Sequence, residues 1–167
     1  HVYLIFKGSV IIVQLAEDGK VVGLELVKAG GCFGEMSAID NSTRSASVVS
    51  LGPVKLGVIN YNFFKNNVII DYNFCRALLA KFTTVVRVAN QQIFSLATAN
   101  ARKRLLLQML RLSSISKKNA SVMELEEGLS HTAIGSFAGI SRETVTRLIG
   151  DLKSDEIIWS NKAGNLE

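Results

Sequence analysis

The chain is poor in cysteine and proline. Its two cysteines, Cys32 and Cys75, are too few for a disulfide framework and form no Cys-x-x-Cys pair. That leaves no basis for a metal site and fits a reducing compartment, the cytoplasm. Both read as small buried hydrophobes. Long apolar runs are also lacking: nothing approaches the ~18 residues of a membrane span, so no membrane partner is expected. Stretches such as "SVIIVQLA" read as strands. No signal-peptide pattern opens the chain, yet His1 falls inside an expected strand, so a segment preceding it is expected. Nor is charge of one sign heavily in excess. A net charge of +5 permits a polyanionic partner without requiring one, and residues 102–167 carry ten basic against eight acidic side chains. Any nucleic-acid surface there must segregate its charges by face. With 48% hydrophobic and 20% charged residues, the 167-residue chain is not disordered. It suffices for one large domain or two small ones.

Turn-forming residues are unevenly spread. Pro53 and eight of the thirteen glycines precede residue 60. In that region "VYLIF", "VIIVQL", "VVGLELV", "SASVV" and "VKLGVI" predict strands, and short strands at this spacing predict an antiparallel roll or barrel. Between Val58 and Glu127 neither Gly nor Pro occurs, which favours uninterrupted helix. Cys75, Leu78, Phe82, Val85, Ala89, Gln92 and Leu96 recur at three- and four-residue steps. They predict the seam of a helix over about residues 68–99, roughly 45 Å long. A small roll is too short to cover it, so a second copy of the chain is the expected partner, with Gln92 fixing register. The competing reading is a helix laid on its own roll. Asn100 reads as the N-cap of "ARKRLLLQMLRL" and marks the junction between expected domains 1–99 and 100–167. The polar stretch "SSISKKNAS" follows, then short helices and a closing strand.

"LSHTAIGSFAGISRETVTRLIGDLKSDEIIW" is the most informative stretch. Ser130 can cap a short helix through Ala138, with Ile134 and Phe137 inward. Gly139 supplies a left-handed turn, Ile140 plugs the core, and Ser141 caps a second helix over 142–153. Val145, Leu148, Ile149 and Leu152 form its buried stripe. Arg142, Glu143, Thr146 and Arg147 fall on the other face near its start, where a recognition helix enters the major groove. An Arg can grip guanine O6 and N7, and a Glu can accept from the cytosine amino group. The bland alternative is a solvated face with a Glu143–Arg147 pair four residues apart, but the turn, both caps and the inward stripe agree on DNA reading. Ser130, Thr132 and Ser141 at the two caps complete the expected DNA-binding set. "IIWSNKAGN" reads as the first strand of a wing with Trp159 in the core, and His131 as a surface or phosphate-contacting side chain.

"GISRETVTRL" preceded by "FGEM…TRSASV" resembles the cyclic-AMP receptor protein family of bacterial transcription regulators, CRP/FNR, over about residues 1–160. The resemblance implies an α+β architecture: an N-terminal cyclic-nucleotide-binding β-roll (a jelly roll short of its first strands), a long dimerisation helix and a C-terminal winged helix-turn-helix. It further implies an allosteric homodimer acting with RNA polymerase on palindromic double-stranded DNA with TGTGA-like half-sites.

A cyclic nucleotide offers one phosphate charge and a ribose hydroxyl. Gly34 lets backbone approach, the turn of helix from Glu35 points free amides at an anion, Arg44 supplies a cation, Ser45 a hydroxyl, and Glu35 an acceptor for the ribose. In the family, Phe-Gly-Glu with Arg-Ser-Ala nine residues on looks like the phosphate-binding cassette, and Gly34, Glu35, Arg44 and Ser45 match it. The residue-level competitor is a Glu35–Arg44 surface salt bridge closing a loop. The family's nucleotide-activated members present a Thr-Ser pair, and an Arg one turn earlier, to the base. The matching positions here are Ala89-Asn90 and Val85, so Asn90 can still meet a purine edge while the Arg is gone. cAMP is the expected effector. A family relative sensing a non-nucleotide effector, or none, is one rival; a cyclic-nucleotide-binding regulatory subunit of an enzyme or channel is another. An enzyme using Glu35 or His131 is not expected, for want of a metal cluster, a nucleophile–base pair or a Walker-type loop.

Overall fold

The computed structural model describes residues 1–116 and 119–160. These form two compact units, residues 1–15 with 24–94 and residues 16–23 with those from 95 onward.

The first unit is built on β1 (Val2–Lys7), β2 (Ser9–Leu15), β3 (Val21–Lys28, which enters this unit at Leu24), β4 (Cys32–Phe33), β5 (Ser47–Ser50) and β6 (Lys55–Ile59). They make two three-stranded sheets, ordered β4-β1-β6 and β3-β2-β5. β1 is antiparallel to β4 and β6, and β2 to β5. The β-branched runs thus form a roll, as the sequence predicts. β4 is an addition, too short to leave a period in the sequence. Two apolar clusters hold the roll. Val2, Cys32, Ala38 and Phe64 form one, and Ile5, Val10, Val27 and Phe33 the other.

Helix α1 (Glu35–Asp40) lies between β4 and β5. Its N-cap, Gly34, has φ 79°, a left-handed backbone that glycine tolerates without strain. After β6 come one turn, α2 (Tyr61–Phe63), a π-type turn (Phe64–Val68), and the long helix α3 (Tyr72–Thr98). The long helix starts later than residue 68 because the Asp71 carboxylate accepts from the Phe74 amide at 2.8 Å, a side-chain cap.

Within the single chain the expected seam of α3 is mixed: Leu78 is buried, Cys75, Phe82 and Gln92 are half-buried, and Val85, Ala89 and Leu96 are exposed. Leu79, Val86 and Ile93, at seven-residue spacing, are exposed as well, as are Tyr72 and Phe94.

The second unit contains α4 (Ala101–Leu112), β7 (Ser113–Ile115), β8 (Met123–Leu125), α5 (His131–Ala138) and α6 (Arg142–Ser154). Asn100 caps α4, accepting from the Lys103 amide at 2.9 Å. Leu105, Met109, Ile134, Val145, Leu148, Ile149, Leu152 and Ile158 pack into a core cluster. The start of the polar stretch after α4 is a strand, an element not anticipated: Ser113, Ser114 and Ile115 pair antiparallel with Leu125, Glu124 and Met123. One expectation fails here. Trp159 is 48% exposed, and its neighbour Ile158 takes the core position instead. Residues 157–159 form no strand, Ser160 makes a single bridge, and residues 161–165 of the expected wing lie outside the described residues.

Candidate effector pocket and nucleic-acid interface

In the first unit a cavity of about 400 Å³ opens among Tyr3, Ile12, Leu24, Phe33, Val48 and Val85 on its apolar side and Gly34–Ser37, Arg44 and Ser45 on its polar side, with Glu25 and Ala46 also lining it. That volume is in the range of small-molecule sites. Tyr3 and Phe33 stack at 4.9 Å between centroids, forming an aromatic wall.

Arg44 is held across the polar end. Its Nη1 donates to the Gly34 carbonyl at 2.7 Å and to Ser37 Oγ at 2.6 Å, and Nη2 donates to the His1 carbonyl. A Cβ on residue 34 would stand 2.7 Å from Arg44 Nη1, so only glycine lets this guanidinium lie against the loop. All three acceptors are neutral, and among the described residues no carboxylate pairs with the guanidinium beside the cavity.

Glu35 does not pair with Arg44. Its side chain is 4% exposed and accepts from Lys81 Nζ on α3 at 2.8 Å. The same ammonium donates to the Cys32 carbonyl at 2.7 Å and lies 3.8 Å from Glu25 Oε2. Burial opposes the charged ammonium, but the hydrogen bond and attraction of Glu35, aided by Glu25, prevail and hold the Lys81 pKa above the ordinary lysine value. Burial pushes the Cys32 thiol up, which keeps it protonated and unreactive at neutral pH. Lys81 went unnoticed in the sequence. Ala89 and Asn90 do not line the cavity and are exposed. The structure therefore brings together Gly34, Glu35, Arg44 and Ser45, and leaves Ala89 and Asn90 apart.

In the second unit, Ser130 Oγ accepts from the Ala133 amide and Ser141 Oγ from the Thr144 amide, so each helix begins at its expected cap. Gly139 ends α5 in the left-handed region at φ 64°. Val145, Leu148, Ile149 and Leu152 are buried, and this fixes the rotation of α6. Arg142, Glu143, Thr146 and Arg147 are consequently exposed together, as is Thr132. The pair four residues apart is Arg147–Asp151, at 3.4 Å, rather than Glu143–Arg147. Glu143 sits in the first turn, where hydrogen bonds from its own backbone amide and from Ser141 hold its carboxyl below the usual range. His131 is half-buried, with Nδ1 2.8 Å from Thr146 Oγ1. Two short helices joined by a glycine turn, the second offering a charged exposed face, make a helix-turn-helix.

Residues 1–68 match the cyclic nucleotide-binding domain family, and residues 103–166 match the Crp-like helix-turn-helix domain family. The chain belongs to the CRP/FNR family. Relatives of this CRP/FNR chain include the global nitrogen regulator of Synechococcus elongatus, 29% identical over 167 residues covering 97% of this chain and 74% of that protein. Another is the cAMP-activated global transcriptional regulator CRP of Pasteurella multocida, 26% identical over 157 residues covering 93% and 75%. Among solved structures, the c-di-GMP responsive global regulator CLP of Xanthomonas campestris shares the fold, with a TM-score of 0.78 at 20% identity over 99% of this chain and 82% of that one. The chain is thus a CRP-family transcription regulator with a cyclic nucleotide-binding domain and a helix-turn-helix DNA-binding domain. Among the described residues no helix is long and apolar enough to cross a membrane.

Proposed function

We propose that this regulator is a cytoplasmic homodimer, not an enzyme, whose affinity for palindromic DNA is set by a cyclic nucleotide held in the roll. The observation that carries this reading is Arg44: a guanidinium fixed beside an apolar cavity with only neutral acceptors around it. A phosphate there gains charge-assisted hydrogen bonds from Arg44 and a hydroxyl from Ser45, and the apolar side, with its Tyr3–Phe33 stack, accepts a base. Ligand binding would shift the population towards the arrangement of the dimer that matches successive major grooves, where Arg142, Glu143 and Arg147 read a TGTGA-like half-site. RNA polymerase is the partner at the promoter.

Titration calorimetry tests the ligand. Cyclic AMP is expected to bind, and Arg44→Ala to weaken it by about ten- to a hundred-fold, the worth of a charge-assisted hydrogen bond. Absence of heat with cyclic AMP and with cyclic GMP contradicts the nucleotide assignment. One observation favours a second reading, a non-nucleotide anionic effector. Ala89 and Asn90 stand apart from the cavity, and Glu35 already accepts from Lys81. The relatives also differ in what their names declare, one a nitrogen regulator and one cAMP-activated. A regulatory subunit of an enzyme or channel has no use for a base-reading helix, so that alternative is set aside.

A further inference from the structure

Two carboxylates border the cavity, and they differ in how far the cavity can reach them. Glu25 on β3 and Glu35 at the start of α1 both line it. The Glu35 side chain is only 4% exposed and accepts from Lys81 Nζ at 2.8 Å. The Glu25 side chain is 29% exposed, and its Oε2 lies 3.8 Å from the same ammonium, too far for a hydrogen bond. Lys81 makes its short contacts with Glu35 and the Cys32 carbonyl. Glu25 is thus attracted by Lys81 without being covered by it, and a carboxylate has about four acceptor sites. Its charge repels a phosphate, so an anionic ligand anchored at Arg44 turns a neutral, donor-bearing part towards Glu25. Arg44 rests on the carbonyl of Gly34, the residue before Glu35, and Lys81 joins Glu35 to Glu25. Glu25 therefore stands close behind the phosphate end. In a 3′,5′-cyclic nucleotide the donor next to the phosphate ring is the ribose 2′-hydroxyl, and the base lies farther out.

We propose that Glu25, not Glu35, accepts the ribose 2′-hydroxyl, and that Glu35 serves instead to hold Lys81. This rests on the cyclic-nucleotide binding proposed above, and it moves the sugar's acceptor from the Gly34–Ser45 stretch to β3. As a mere second partner for Lys81, Glu25 would affect stability and leave the choice of ligand untouched, which separates the two roles.

The test is titration calorimetry on the full chain with cyclic AMP and its 2′-deoxy analogue, which lacks only that hydroxyl. The wild-type protein is expected to bind the deoxy compound about ten- to a hundred-fold more weakly, the worth of a hydrogen bond to a charged group. Glu25→Met, close in size and without a carboxylate, is expected to bind the two compounds equally. Glu25→Gln, whose neutral carbonyl oxygen still accepts, is expected to fall between. The double change Lys81→Met with Glu35→Met replaces the buried pair by apolar side chains and is expected to keep the wild-type ratio. Lys81 is removed together with Glu35 because the ammonium, left alone, would turn to Glu25. Urea unfolding of each variant checks that the roll is intact. A ratio unchanged in both Glu25 variants, or lost in the double variant with the roll intact, overturns the inference. So does a wild type that binds both compounds alike, and in each case cyclic AMP binding itself stands. No heat with cyclic AMP or cyclic GMP instead overturns the nucleotide reading, and this inference with it.

Discussion

A buried charge pair sets the character of the pocket at the scale of single residues. Glu35 is almost wholly removed from water, and its partner there is Lys81, 2.8 Å away. Removing one partner of such a pair leaves the other uncompensated. Lys81→Met is therefore expected to cost about 3 kcal/mol in urea unfolding, and the added change Glu35→Gln to recover most of it. If the two changes simply add, the pair is not coupled. The ammonium also has a pH signature. Its pKa in the folded protein is raised above the unfolded value, so its stabilisation is complete below the ordinary lysine pKa of about 10.4 and is lost as pH rises through the folded value. Stability measured between pH 9 and 12 should fall more steeply in wild type than in Lys81→Met. The sequence displayed Glu35 and Arg44 clearly, and their spacing invited pairing them with each other. Lys81 is remote in the chain, and only the placement of α3 against α1 reveals that it, not Arg44, neutralises Glu35.

Caps and turns define the DNA-reading unit at the scale of elements. Ser130, Gly139 and Ser141 punctuate α5 and α6 where the sequence places them, because each acts through its own local hydrogen bond or backbone angle. Ser141→Ala is expected to destabilise the unit by about 1 kcal/mol without altering base preference. Arg142→Ala is expected to cost about 1–3 kcal/mol in DNA affinity and relax preference at one base pair, with stability unchanged. An equal loss on every sequence would show that Arg142 only contacts phosphate. Local signals thus made these helices legible, along with the buried stripe Val145, Leu148, Ile149 and Leu152. The elements missed were those that local signals under-determine. β4 is two residues long, and β7 with β8 owes its strands to pairing across a polar stretch rather than to hydrophobic alternation. Trp159 was expected in the core, whereas Ile158 occupies that place.

At the scale of the whole molecule, the proposed function rests on association of two copies. Leu79, Val86 and Ile93 are 61%, 58% and 66% exposed along a helix of 27 residues. A heptad row of this kind buries itself against a second copy of the same helix. Ile93→Glu is expected to give a monomer in sedimentation velocity and to lose palindrome binding, since two recognition helices must act together. A dimer that persists in this variant would place the interface elsewhere. The periodicity of α3 was plain in the sequence, but periodicity alone does not say which stripe faces the chain's own roll and which faces a partner. The central claim is that an anion at Arg44 controls base reading by α6. Its most direct test is fluorescence anisotropy on a TGTGA palindrome, with and without cyclic AMP, for wild type and Arg44→Ala. The account predicts that cyclic AMP tightens wild-type binding and leaves Arg44→Ala unchanged at its weak, ligand-free level. Equal affinity with and without the nucleotide in both proteins would contradict it.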